Sequence, residues 1–181
     1  MDTLAEPPIA SPLVGSVATT ETQLWLPAQY TPIPANDPRP GKLYKVTAGG
    51  VWTNATTGTL TITPRWGQSA TAATNITMGA SVAQTVQATG ASPAWYLEFT
   101  AVVRTIGATG SATGTVIGTG SFMSSGSGAV STAYNISFGG TVATVQTDGG
   151  GTPGGNGIAI SVTLSVAGSF TTFYACVQSL N

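Results

Sequence analysis

Three stretches of this chain place apolar side chains at every second position, and that two-residue period fixes the kind of fold available to it. Ile158, Ile160, Val162, Leu164 and Val166 alternate with Ala159, Ser161, Thr163 and Ser165. Leu60, Ile62, Pro64 and Trp66 alternate with Thr59, Thr61, Thr63 and Arg65. Trp95, Leu97, Phe99, Ala101 and Val103 do the same against Tyr96, Glu98, Thr100, Val102 and Arg104. Successive side chains of a strand point to opposite faces, so each stretch reads as a strand with one apolar and one polar face. Weaker strands are expected over 42–53, 74–84, 112–124, 129–138, 141–147 and 170–179, separated by glycine runs such as Gly149-Gly150-Gly151 and Gly154-Gly155. No stretch after Gly41 sustains a 3.6-residue period. About eight strands at this spacing predict an all-β domain, a β-sandwich or barrel with a jelly roll as the natural candidate.

The first 40 residues have a different texture. They hold eight of the eleven prolines, Pro7, Pro8, Pro12, Pro27, Pro32, Pro34, Pro38 and Pro40, and four of the six acids. Proline removes a backbone donor and fixes φ, which argues against long helices and central strands there. Residues 1–40 therefore read as an extended proline-rich N-terminal arm with polyproline-like stretches, and residues 41–181 as the sandwich domain. Thr22-Gln23-Leu24-Trp25-Leu26 interrupts the arm. It docks either as a short edge strand on the chain's own core or as an anchor on another surface.

Charge is the scarcest resource of the chain. Between Val46 and Asn181 the charged side chains are Arg65, Glu98, Arg104 and Asp148, and the sequence has no histidine. A stretch of that length in an ordinary domain would carry about 34 charged residues. General acid–base catalysis, a serine nucleophile with its base, and zinc or calcium ligation all need groups that are missing, so no enzyme activity, metal or cofactor is expected. Asp148-Gly149-Gly150-Gly151-Thr152-Pro153 lacks the lysine and following helix of a phosphate loop. With a formal net charge of −1 there is no basic footprint for nucleic acid, and Arg39, Lys42 and Lys45, beside Asp37, read as a solvated strand entry.

Cys176, the single cysteine, sits among Phe173, Tyr174, Ala175 and Val177 and reads as a small buried hydrophobe. No apolar run approaches the ~20 residues of a membrane span, and the N-terminus lacks the regions of a signal peptide, so synthesis in a cytoplasm is expected. Glu98 and Arg104 share one strand face but are separated by ~20 Å along it. Glu98 is therefore expected to pair with an arginine, Arg65 being the cross-strand candidate, within its sheet or across a subunit contact. Sugar binding by stacking needs no charge, and Trp52, Trp66, Tyr134 and Tyr174 are the aromatic candidates for it.

The stretch from Gly41 onward also resembles a family. Gly41-Lys42-Leu43-Tyr44-Lys45-Val46-Thr47-Ala48-Gly49-Gly50, Thr59-Leu60-Thr61-Ile62-Thr63-Pro64-Arg65-Trp66-Gly67 and above all Pro93-Ala94-Trp95-Tyr96-Leu97-Glu98-Phe99-Thr100-Ala101-Val102-Val103-Arg104-Thr105-Ile106-Gly107 are similar to jelly-roll decoration or minor structural proteins of tailed phages infecting actinobacteria. The resemblance implies a tumour-necrosis-factor-like jelly roll, a homotrimer, attachment to a virion, and no catalytic residues. On that basis the chain is expected to be a capsid decoration (cement) protein bound to the major capsid protein on the capsid surface. Leu24, Trp25, Leu26 and Tyr30 of the arm would contact the capsid or a neighbour. Phe170, Phe173 and Tyr174 would form the subunit interface, and Arg65, Glu98 and Arg104 a structural ion-pairing set. The alternative is a tail-associated protein that binds the host surface or its carbohydrate. Neither role calls for nucleic acid or a membrane.

Overall fold

A computed structural model describes residues 2–5, 8–16, 19–25, 33–89, 92–125, 133–148 and 155–180, the first two segments by their strand backbone. Among the described residues, thirteen strands are arranged in two antiparallel sheets. They are β1 (Asp2–Ala5), β2 (Pro8–Ser16), β3 (Thr22–Gln23), β4 (Leu43–Asn54), β5 (Gly58–Trp66), β6 (Ile76–Thr77), β7 (Gln84–Val86), β8 (Ala94–Thr105), β9 (Gly114–Ser124), β10 (Tyr134–Gly139), β11 (Ala143–Val145), β12 (Ile158–Leu164) and β13 (Gly168–Ser179). The large sheet runs β1-β13-β4-β8-β9-β10, with β2 also on β13 and β11 also on β9. The small sheet runs β3-β12-β5-β6, with β7 also on β5.

The three alternating stretches become β12, β5 and β8, and their apolar phases face the interior. Leu60, Ile62 and Trp66 meet Ile158, Ile160, Val162 and Leu164 within the small sheet. Across from them lie Trp95, Leu97, Phe99, Ala101 and Val103 of the large sheet. Aromatic rings fill much of the space: Trp52 stacks on Phe170 at 5.5 Å, Trp95 on Phe122 at 5.9 Å and Phe99 on Phe138 at 5.6 Å. The Trp52 indole N–H donates to Ser124 Oγ at 2.8 Å, so its one polar atom is satisfied inside the core.

The strand expected over 74–84 is two short pieces, β6 and β7, and Pro64 explains the gap. Its carbonyl accepts the Met78 N–H at 2.8 Å on that edge of β5, where a proline has no N–H to return. Ile62 instead donates to Ser81 Oγ at 3.0 Å, a side chain standing in for backbone.

The segment expected as an arm is different from expectation. β1 and β2 run antiparallel along β13, from Asp2 opposite Ser179 to Ser16 opposite Ser169. Prolines 8 and 12 fit there because an edge strand is bonded on one side only. The chain then passes to the other sheet, where Thr22 and Gln23 pair with Val162 and Ser161 of β12. Thr19 makes this passage with a positive φ of 60°, held by its N–H to Leu164 O at 2.8 Å. A left-handed backbone is costly for a β-branched residue.

Leu24 and Trp25, expected on a capsid or a neighbour, are buried in the chain's own core at 2% and 1% exposure. The pairing of Thr22 and Gln23 with β12 steers the next two side chains between the sheets. Leu24 N–H donates to Ile160 O at 2.9 Å, and Leu24 O accepts from Thr172 Oγ1 of the other sheet at 2.5 Å. Leu26 and Tyr30, assigned to the same contact, lie outside the described residues.

Candidate functional site on the outer face of the large sheet

Strand β13 carries the feature that shapes this face. Phe170 and Thr172 point inward, and so do Ala175, Val177 and Ser179, which are out of phase with them by one residue. The register explains the shift: Thr172 lies opposite Gly50 and Tyr174 opposite Gly49, leaving Phe173 as an extra residue. A β-bulge of this kind resets the alternation and turns two consecutive side chains to the same side. Phe173 and Tyr174 are thus both exposed, at 55% and 43%. The partner strand answers with two glycines. A Cβ on Gly50 would overlap the Thr171 carbonyl, and one on Gly49 would lie 2.6 Å from the Tyr174 ring.

Across the sheet the register sets Tyr174, Gly49, Tyr96, Met123 and Asn135 in one row. Met123 is exposed and Tyr96 half-buried, so the row is an apolar and aromatic band crossing four strands and ending on the polar Asn135 of β10. The neighbouring row is polar: Cys176, Thr47, Glu98, Ser121 and Ser137. Beside the band, a hollow of about 440 Å³ opens between Tyr96, Met123, Tyr134 and Asn135.

Two charges on this face, Lys45 and Glu98, neutralise one another. Lys45 Nζ lies 2.9 Å from Glu98 Oε1, and the Tyr96 hydroxyl donates to Glu98 Oε2 at 3.0 Å. The Lys45 ammonium and the Tyr96 hydroxyl hold the Glu98 carboxyl below its usual range. Partial burial, then the Glu98 carboxylate, pushes the Tyr96 phenol up to about 12, and burial raises that of Tyr174.

Within the chain the partner of Glu98 is therefore Lys45, where an arginine was expected. Lys45 lies opposite Thr100, one diagonal step from Glu98 on adjacent strands. Arg65 is on the small sheet, on the far side of the sandwich from Glu98. There its guanidinium grips Glu21 with Nε and Nη2, both at 2.6 Å, and donates through Nη1 to Asn75 O at 2.6 Å. Ser161 Oγ donates to the same Glu21 carboxylate. Burial by itself would raise the Glu21 carboxyl, but hydrogen bonds from Arg65 and Ser161 and the charge of Arg65 outweigh it and hold it low. Arg104 is exposed and forms no ion pair among the described residues. The expected trio is thus dispersed over both outer faces.

The expected subunit-interface set divides as well. Phe173 and Tyr174 are outward, whereas Phe170 is 3% exposed and stacked in the core, on the inward side of the bulge. Of the aromatic candidates for sugar stacking, Trp52 and Trp66 are interior, and the Tyr134 hydroxyl accepts the Gln87 N–H at 2.8 Å. Tyr96 and Met123 were not singled out from the sequence, and Lys45 was read only as part of a solvated strand entry. The signal was present in Tyr96, an aromatic on the polar phase of an otherwise clean alternation. Among the described residues no cluster of three metal-ligating side chains occurs, and no helix is long and apolar enough to cross a membrane.

No protein-family model, no curated protein and no solved structure matches the chain.

Proposed function

We propose that the protein is a structural component of a virion, a capsid decoration protein of a tailed bacteriophage that binds the major capsid protein as a homotrimer. The observation that carries this reading is the outer face of the large sheet. It combines exposed Phe173, Tyr174 and Met123 with half-buried Tyr96, and its Lys45 and Glu98 charges cancel within the chain. Protein contact surfaces are enriched in Tyr, Phe and Met at their centres and depleted in unpaired charge. Contiguous exposed apolar area of this kind marks an interaction site on a soluble domain.

The jelly-roll form of the sandwich belongs to the same proposal. The first strands lie beside the last in each sheet: β1 and β2 beside β13, and β3 beside β12. Consecutive strands β3, β4 and β5 switch between sheets, as do β12 and β13, and this switching supports a reading as interlocked Greek keys. The meander β8-β9-β10 extends the large sheet beyond this pattern.

A tail-associated, glycan-binding role has less to stand on. Trp25, Trp52, Trp66 and Trp95 are all at most 3% exposed, which leaves no indole face for a sugar ring to stack upon. Light scattering at micromolar concentration tests the oligomer. A trimer mass is expected for the wild type, falling toward the monomer for Phe173→Ser combined with Tyr174→Ser. A wild-type monomer would sink the trimer.

A further inference from the structure

We infer that residues 2–25 are an exchangeable segment, which one copy of the chain donates to the β12 and β13 strands of a second copy. The inference rests on the proposed self-assembly and names the element through which copies are tied together.

The segment is built like a separable part. Among the described residues, its strand pairings go to β13 and β12, the last two described strands, and all are at sheet edges. Its side-chain attachments are equally specific. The Glu21 carboxylate is held by Arg65 and Ser161, Leu24 and Trp25 fill the gap between the sheets, and Thr172 Oγ1 bonds Leu24 O. Beyond Trp25 the chain returns to the core at Ile33 through the seven residues 26–32, which include Pro27 and Pro32. Seven residues span at most about 25 Å, enough to reach an adjacent copy and not a distant one.

The occupant follows from the fit. A second copy of residues 2–25 has the same register on β13, the same latch for Arg65 and the same plug for the core, because it is the same sequence. Exchange of identical elements conserves every one of these contacts and adds only the geometry of the connection. Without the segment, β13 would present an unpaired backbone edge along most of its length, which favours pairing with another chain.

The Glu21–Arg65 latch gives a decisive test. Glu21→Arg and Arg65→Glu each place like charges at the latch within one chain. When the two variants are unfolded and refolded together, opposite charges meet only where the segment of one lies on the body of the other. Exchange predicts that the mixture melts about 5–10 °C above either variant refolded alone. Two unshifted transitions would overturn it. Should a variant fail to fold by itself, co-expression replaces mixing: a soluble complex of both chains is expected, and two insoluble chains would overturn the inference. Wild-type mass by light scattering separates the failures. An oligomer with no rescue removes exchange and keeps self-assembly, whereas a monomer removes both.

Discussion

The outer faces of the two sheets meet solvent in opposite ways. On the small sheet, β12 is buried on both sides, with Ala159 and Ser161 as inaccessible as Ile160 and Val162. The N-terminal segment and the Glu21–Arg65 pair lie against its polar phase. On the large sheet, the polar phase of β4, β8 and β9 stays half-exposed, and the bulge at Phe173 adds two aromatic rings to it. Among the described residues, one face is covered by the chain itself and the other is not. Alternation in a sequence identifies which residues turn inward. What lies over the other phase is decided by tertiary contacts, and here that difference separates a structural ion pair from a candidate interface.

If the small-sheet side is truly interior, its anchors should dominate stability. Trp25→Ala removes the largest described side chain that the N-terminal segment places between the sheets and is expected to cost about 3–5 kcal/mol, lowering the melting midpoint by roughly 10 °C. A change under 2 °C in calorimetry would mean that the N-terminal segment contributes little to the fold.

Arg65→Met ranks next, at about 2 kcal/mol near neutral pH, because it strands the Glu21 carboxylate in a partly buried site. Since the carboxyl of Glu21 is held low in the folded state, its stabilisation is present above the usual carboxylate range and is lost as pH falls through the folded-state pKa. The stability gap between wild type and Arg65→Met should thus be widest at neutral pH and close in acid. Urea titrations at several pH values would show this, and a gap independent of pH would contradict the latch.

The Lys45–Glu98 pair supplies the contrast. It is formed on the open face, with side chains 32% and 42% exposed, so Lys45→Ala should cost the isolated chain under about 1 kcal/mol. A loss as large as that of Arg65→Met would show that this face is as enclosed as the other.

Much of the sandwich was legible in the residues. The inward phases of β5, β8 and β12 follow directly from alternation, since the two phases are chemically distinct throughout 59–66, 95–104 and 158–166. Three features were not legible, each for a physical reason. The bulge at Phe173 splits an apolar run whose two halves each alternate, so only pairing with Gly49 and Gly50 reveals the phase shift. β2 contains Pro8 and Pro12, which disfavour central strands and leave edge strands open. Glu21 and Arg65 meet across 44 residues, and Glu98 meets Lys45 by a diagonal step that depends on register. Partner choice among so few charges is set by topology, and the bulge is what turns Tyr174, four residues after inward Phe170, to the outer face.

The proposed decoration role is tested most directly by binding of the purified protein to undecorated capsids of a tailed phage, with copy number read by particle imaging. Saturable binding in hundreds of copies at fixed lattice positions, lost in the Phe173→Ser and Tyr174→Ser double variant, is the predicted result. Failure to bind capsids, together with binding to host cells or cell-wall glycan, would contradict it.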